Sequence, residues 1–240
     1  MRRATPPWVL LLAPIAMVAL MAPLENPAPG LPNGQAWAEP DGSDLEAYAD
    51  SLAGGVMIVH VVPELTYTHP GPADGWCAFC DLMACEGQIN RVGEGTTVWY
   101  VVSAWAGEKT FSAVEFGLGD YDPNLYVIVD HDPCWRHGMT LHFPDITKWP
   151  APNTGIALAA TRENWVGRFV PIYWFAGYHY EGEGQIPLAE FPPTQHAGWV
   201  NAARPSTTYD AACLGALGVG TAGRACCPEG PDGEVVSEGN

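Results

Sequence analysis

Apolar side chains fall along this chain in short runs broken by Gly, Pro, Asn and Asp, with no long helical periodicity to compete, which is the pattern of β-strands. The runs at 56–62, 97–106, 113–118, 125–129, 155–160, 168–180 and 185–189 are rich in β-branched and aromatic residues. The run Arg168-Phe-Val-Pro-Ile-Tyr-Trp-Phe-Ala-Gly-Tyr-His-Tyr180 is apolar at odd and even positions alike. Both faces of such a strand must be covered, and two stacked sheets are the simplest cover. The expected fold is mainly β, a two-layer β-sandwich (Ig-like or jelly-roll-like) with one short N-terminal helix and disulfides. Pro171 has no N–H to give to a ladder, so the start of its strand must lie at an edge or a bulge, with pairing best from Ile172 onward. Glu181-Gly-Glu-Gly184 reads as a hairpin turn into the next strand. The one good helix signal lies between Asp41 and Gly55, where Ser43 and Glu46 make a capping box and Gly54-Gly55 a stop.

The two ends follow a different grammar. Arg2 and Arg3 precede an apolar run over 8–22, which is 15 residues long, too short for a comfortable helical crossing and broken by Pro14. With the small residues of Ala36-Trp37-Ala38 after it, residues 1–38 read as an export signal cut after Ala38. Residues 39–53 then form a linker with the short helix, 54–228 the disulfide-stabilised β domain, and 229–240 a disordered acidic tail. No further apolar span follows the signal, so the mature chain is expected to have no membrane span.

Charge narrows the partners. The chain carries a formal charge of −17, and loss of Arg2, Arg3 and Glu25 with the signal takes it to −18. Such a surface repels nucleic acid and anionic membranes. Only 15% of residues are charged while 48% are hydrophobic, so the chain has the composition of a folded domain.

The cysteines are Cys77, Cys80, Cys85, Cys134, Cys213, Cys226 and Cys227. In an exported chain they are disulfide candidates, giving three pairs and one leftover. Proximity favours Cys77 or Cys80 with Cys85, and Cys213 with Cys226 or Cys227. Cys77-Ala-Phe-Cys80 also admits a zinc or redox reading, but it has no matching second pair at a zinc-module spacing.

Three other constellations could carry chemistry. Asp120, Asp122 and Asn124 alternate as calcium ligands do, yet Leu125 stands where an EF-hand needs glycine and His131 where it needs glutamate; an ordinary turn accounts for them equally, and calcium is the one cofactor the letters suggest. Asp130, His131 and Asp132, with His137 and His142 beyond, gather acid, base and ligand groups after a strand, as a metal-dependent hydrolase would. Trp76, Trp135, Trp149 and Trp165 lie in loop-like contexts where an indole either plugs the end of a sandwich or binds a sugar or protein, whereas Trp99, Trp105 and Trp174 lie in strand runs and belong to the core. No nucleophile-elbow, zinc-protease, P-loop or dinucleotide motif is present.

Gly75-Trp76-Cys77, Glu115-Phe-Gly-Leu-Gly119 with Tyr121-Asp-Pro123, Trp149-Pro-Ala-Pro-Asn153, Pro171-Ile-Tyr-Trp-Phe-Ala-Gly-Tyr178 and Cys213-Leu-Gly with Gly223-Arg-Ala-Cys-Cys-Pro228 together resemble a group of uncharacterised secreted proteins from candidate bacterial phyla. The resemblance covers nearly all of residues 54–228 and implies bacterial export and one unit. It carries over no catalytic residue. The expected function is a secreted or cell-surface binding or structural domain acting on a protein or polysaccharide, with a carbohydrate-binding module and a secreted metal-dependent hydrolase as alternatives.

Overall fold

The computed structural model describes residues 51–228 except 70, 73–74, 135–139, 145–147 and 162. The expected export signal, most of the N-terminal helix, Trp135, His137 and the acidic tail therefore lie outside the described residues. Of the helix segment, Ser51 to Gly55 is described and forms a turn, with the Gly55 N–H bonded to the Leu52 carbonyl and Gly54 at φ 75°.

The described chain is mainly β. Its strands are β1 (Val56–Val61), β2 (Arg91–Val92), β3 (Gly95–Leu118), β4 (Tyr126–Pro133), β5 (Thr140–Pro144), β6 (Thr154–Ala160), β7 (Trp165–His179), β8 (Gly184–Ala189), β9 (Gly198–Asn201), β10 (Thr208–Asp210), β11 (Cys213–Leu214) and β12 (Ala216–Val219). They join in one hydrogen-bonded, curled sheet organised by β3, which is 24 residues long. Its first half pairs with β1 on one side and β7 on the other; its second half pairs with β9 and β8, and with β6.

The sequence breaks β3 into two runs because Ala106, Gly107 and Glu108 are exposed and interrupt the apolar pattern. The backbone does not break there. It shifts register between Ala104 and Lys109 and resumes pairing with Gly167, Val166 and Trp165. Hydrophobic alternation reports burial, whereas a ladder is a backbone property that survives a polar bulge. Pro171 behaves as its chemistry requires: Val101 faces Tyr173 and Val102 faces Pro171, so Ile172 is the extra residue of a bulge. Pairing nevertheless continues before it, from Phe169 and Val170 to Ala104 and Ser103. The expected hairpin at Glu181 is not formed; β8 pairs with β12 and β3 instead of returning along β7.

Both faces of β1, β3 and β7 are buried, against different partners. Met57, Val59, Trp99, Val101, Tyr173 and Phe175 point into a larger core that the curled sheet surrounds. Rings dominate it: Trp99 stacks on Phe175 at 4.2 Å, and Trp105 lies 4.8 Å from Trp199. The alternate positions Ile58, Val98, Tyr100, Val102 and Trp174 enter a smaller core with Trp76 and Leu82. Its cover is the irregular chain between β1 and β2, with 3₁₀ turns at Trp76–Phe79 and Cys85–Gly87.

Disulfides and one buried histidine fasten that cover. Cys77 pairs with Cys134 after β4, Cys85 with Cys227, and Cys213 with Cys226; Cys80 is the free thiol. The short closure expected within the first three cysteines does not form, since the 3₁₀ turn points Cys77 back at the sheet and Cys85 toward the chain's far end. His60, on β1, donates from Nε2 to Asp81 Oδ1 at 2.9 Å while its Nδ1 accepts the Ile89 N–H at 3.2 Å, pinning both arms of the cover. No helix among the described residues is long and apolar enough to cross a membrane.

Candidate functional site

β4 places the acids and histidine that the sequence singles out, and its alternation separates them. His131 turns toward the larger core, where its Nδ1 lies 2.8 Å from the Tyr173 hydroxyl. Trp149 Nε1–H donates to the same hydroxyl at 3.0 Å. An indole N–H can only donate, so the Tyr173 oxygen accepts from Trp149 and joins it to the His131 ring through the bond at Nδ1. Burial lowers the pKa of the imidazole, against the opposing pull of Asp130 and Asp132. The same burial raises that of Tyr173. Phe175, Trp149 and Tyr173 surround the ring at centroid distances of 6.1, 6.4 and 5.9 Å.

Asp130 faces the cover. Its Oδ2 accepts the Tyr67 hydroxyl at 2.7 Å, and its Oδ1 accepts the His131 backbone N–H at 2.9 Å. The bond to Asp130 pushes the Tyr67 phenol up to about 12. His142 stands on β5, opposite Leu158 of β6. Among the described residues no three His, Cys, Asp or Glu side chains form a group suited to a metal ion. The arrangement joins His131, a member of the alternative hydrolase constellation, to Trp149, a candidate plug or ligand-binding indole, through Tyr173 of β7.

The linked pH effect has a definite sign. A histidine whose pKa is lowered by folding leaves the unfolded chain binding more protons below 6.5. Its contribution to stability is complete above that value and lost as the pH falls through it. The urea midpoint is therefore expected to drop between about pH 7.5 and pH 5.5, and to drop less in His131→Gln, which keeps an acceptor for Tyr173. Equal pH slopes for the two proteins would remove the argument. Glu115, whose carboxyl is raised by burial against a Thr194 hydrogen bond, has the opposite sign at lower pH.

The other predicted residues take structural positions. Asp122 Oδ1 accepts both the backbone N–H and the side-chain amide of Asn124, at 2.8 and 3.0 Å, and Asn153 donates to Asp120 Oδ1 at 3.4 Å. The first two bonds are those of an Asx turn between β3 and β4, and the third ties that turn to the chain just before β6. Trp165 is fully buried and stacked on Phe111, Trp76 packs against Tyr67 and Trp174, and Trp149 lies over Phe116 and Tyr173.

A second surface escapes the sequence analysis. At the end of β7, Tyr178 and Tyr180 sit two residues apart on one face with rings 4.9 Å apart, edge to face. Tyr180 is 66% exposed. With Glu94, Thr96 and His179 they line an open depression of about 380 Å³, and Glu94 and His179 also border a second one of about 430 Å³ beside Arg91, Glu181 and Glu183. Two aromatics alternating into an acidic Gly-rich turn were the available signal, but the opposite wall comes from the start of β3, far away in the chain. No family model, curated protein or solved structure matches this chain.

Proposed function

We propose that the protein is an exported, non-catalytic binding domain that works outside the cytosol, at a cell surface, with the two facing parts of its curled sheet serving as the layers of a sandwich. The observation that carries this reading is the disulfide set. Cys77–Cys134, Cys85–Cys227 and Cys213–Cys226 hold the cover of the smaller core. A reducing compartment would open such bonds and loosen that cover. The non-catalytic part rests on His131, whose Nδ1 is engaged by Tyr173 inside a ring of aromatics. Carbohydrate binding is the second reading, favoured by the exposed Tyr180 ring above the acidic groove.

Cys80 supplies the test. Burial pushes its thiol up to about 12, so almost none is thiolate near neutral pH. Protein recovered from the culture fluid of its source should contain three disulfides and one free thiol, at Cys80, that reacts with a thiol reagent more slowly folded than unfolded. Seven reactive thiols in material taken directly from those cells would defeat the reading.

A further inference from the structure

We propose that the Cys77–Cys134 bridge is a thiol-operated latch: its reduction lets the turn around Trp76 lift from the sheet and uncover the apolar face of Tyr100 and Trp174, while the larger core stays folded. The inference goes beyond the binding-domain reading, because it concerns how the oxidised domain opens, whatever it binds.

The cover lies across β1, β3, β7 and β4, which are neighbours in that order, and it is fixed at one side and latched at the other. At β1 the Val61 N–H donates to the Ile89 carbonyl at 2.7 Å, and His60 bonds Asp81. Over β3 the Tyr100 hydroxyl donates to the Trp76 carbonyl at 2.8 Å, and over β7 the Trp76 ring lies 6.0 Å from that of Trp174. At the far side Cys77 is bonded to Cys134, whose own N–H donates to the Ile172 carbonyl at 3.0 Å just after β4. Tyr67 adds its hydrogen bond to Asp130 of that strand, and Cys85–Cys227 holds the chain beyond the turn.

Few apolar contacts hold the turn down. From Trp76 to Asn90 only Trp76 and Leu82 are buried, whereas Phe79 is 41% and Met83 79% exposed. Burying two side chains contributes less than ordering such a segment costs, so its covalent ties decide whether it stays closed. The larger core is spared, because it lies on the opposite face of β1, β3 and β7 and shares no residue with the smaller one. Segments with few buried contacts open as local units, at a lower free energy than the whole domain. A dithiol reductant attacks one sulfur of the bridge, forms a mixed disulfide and leaves as its own cyclic disulfide, having passed two electrons and two protons to Cys77 and Cys134. Cys80, at the end of the same turn and half-buried against the smaller core, then meets solvent and reports the opening.

Alkylation of Cys80 by a thiol reagent, read by peptide mass mapping of the full chain, tests the latch. In Cys77→Ala/Cys134→Ala the Cys80 rate should rise at least about tenfold. Amide exchange should quicken from Trp76 to Ala84, while residues 109–118 of β3 and strands β6 and β9 keep their protection. Cys213→Ala/Cys226→Ala, which removes a bridge outside the turn, should raise the Cys80 rate far less. On the unmutated protein, brief treatment with a dithiol should label Cys80 in molecules also labelled at Cys77 and Cys134, and spare it in those opened only at another bridge. An unchanged Cys80 rate in the latch variant, an equal rise in the control variant, or Cys80 labelling independent of Cys77 and Cys134 overturns the proposal. So does exchange quickened equally through β6 and β9, including a latch variant that does not fold, since the opening would then be global.

Discussion

Replacing both Cys85 and Cys227 by alanine is expected to lower the stability of the oxidised protein by about 5 kcal/mol, the largest loss of any single disulfide. The three bridges close segments of very different length, with sequence separations of 142, 57 and 13. A cross-link acts mainly by restricting the unfolded chain, and its effect rises with the logarithm of the closed length. That relation gives about 5, 4 and 3 kcal/mol for the three, taken one at a time. For a domain of this size the first figure corresponds to a fall in Tm of about 10–20 °C. The Cys213→Ala/Cys226→Ala variant is the internal comparison, with an expected loss of about 3 kcal/mol. Chemical unfolding followed by far-ultraviolet dichroism measures both. A loss under about 1 kcal/mol for Cys85→Ala/Cys227→Ala, or a reversed ranking, would contradict the entropic account.

Trp105→Ala is expected to cost about 3–5 kcal/mol. The indole sits at the last buried position before the exposed bulge of β3, where it is 1% exposed. It touches Phe111 and Trp199 at centroid distances of 5.3 and 4.8 Å and donates from Nε1 to the Leu52 carbonyl at 3.1 Å. Removing it empties a ring-sized volume and takes one of two donors from that carbonyl, which keeps the Gly55 N–H. Gly55 lies so close beneath the ring that a Cβ there would stand 2.3 Å from Nε1, so the bend and the start of the domain fit around this one side chain. Trp105→Phe keeps most of the volume and loses the hydrogen bond, with an expected cost of about 0.5–1.5 kcal/mol. Urea unfolding followed by dichroism, which does not depend on the indole, separates the two variants; a Trp105→Ala protein as stable as the parent would show that the bend does not depend on the ring.

The strands with two-sided apolar burial were the legible part of the fold. The run at 56–62 became β1, Thr97 to Trp105 the buried half of β3, and the run from Arg168 most of β7, which pairs on both sides of the bulge at Ile172. Short strands such as β2, β10 and β11 were not legible, because two or three residues contain no period to detect. Cysteine pairing was legible in number and at Cys213, whose partner is the nearby Cys226, but not for the first three cysteines. Linear distance predicts a closure within the first three cysteines, while the fold brings Cys134 and Cys227 to them. At the candidate site the letters marked His131 and Trp149 separately; that Tyr173 joins them depends on the register of β4 against β7, which no local pattern encodes. The depression beside Tyr180 was hidden for the same reason, since it brings together the paired start of β3 and end of β7, far apart in the chain.

The Cys85–Cys227 bond has a consequence for survival among proteases. It closes a covalent ring through β2 to β12, so a single nick anywhere inside that ring leaves both fragments in one molecule. Hydrolysis of an exposed bulge or turn there opens the loop without releasing a piece, and the cleaved ends stay within reach of the sheet that held them.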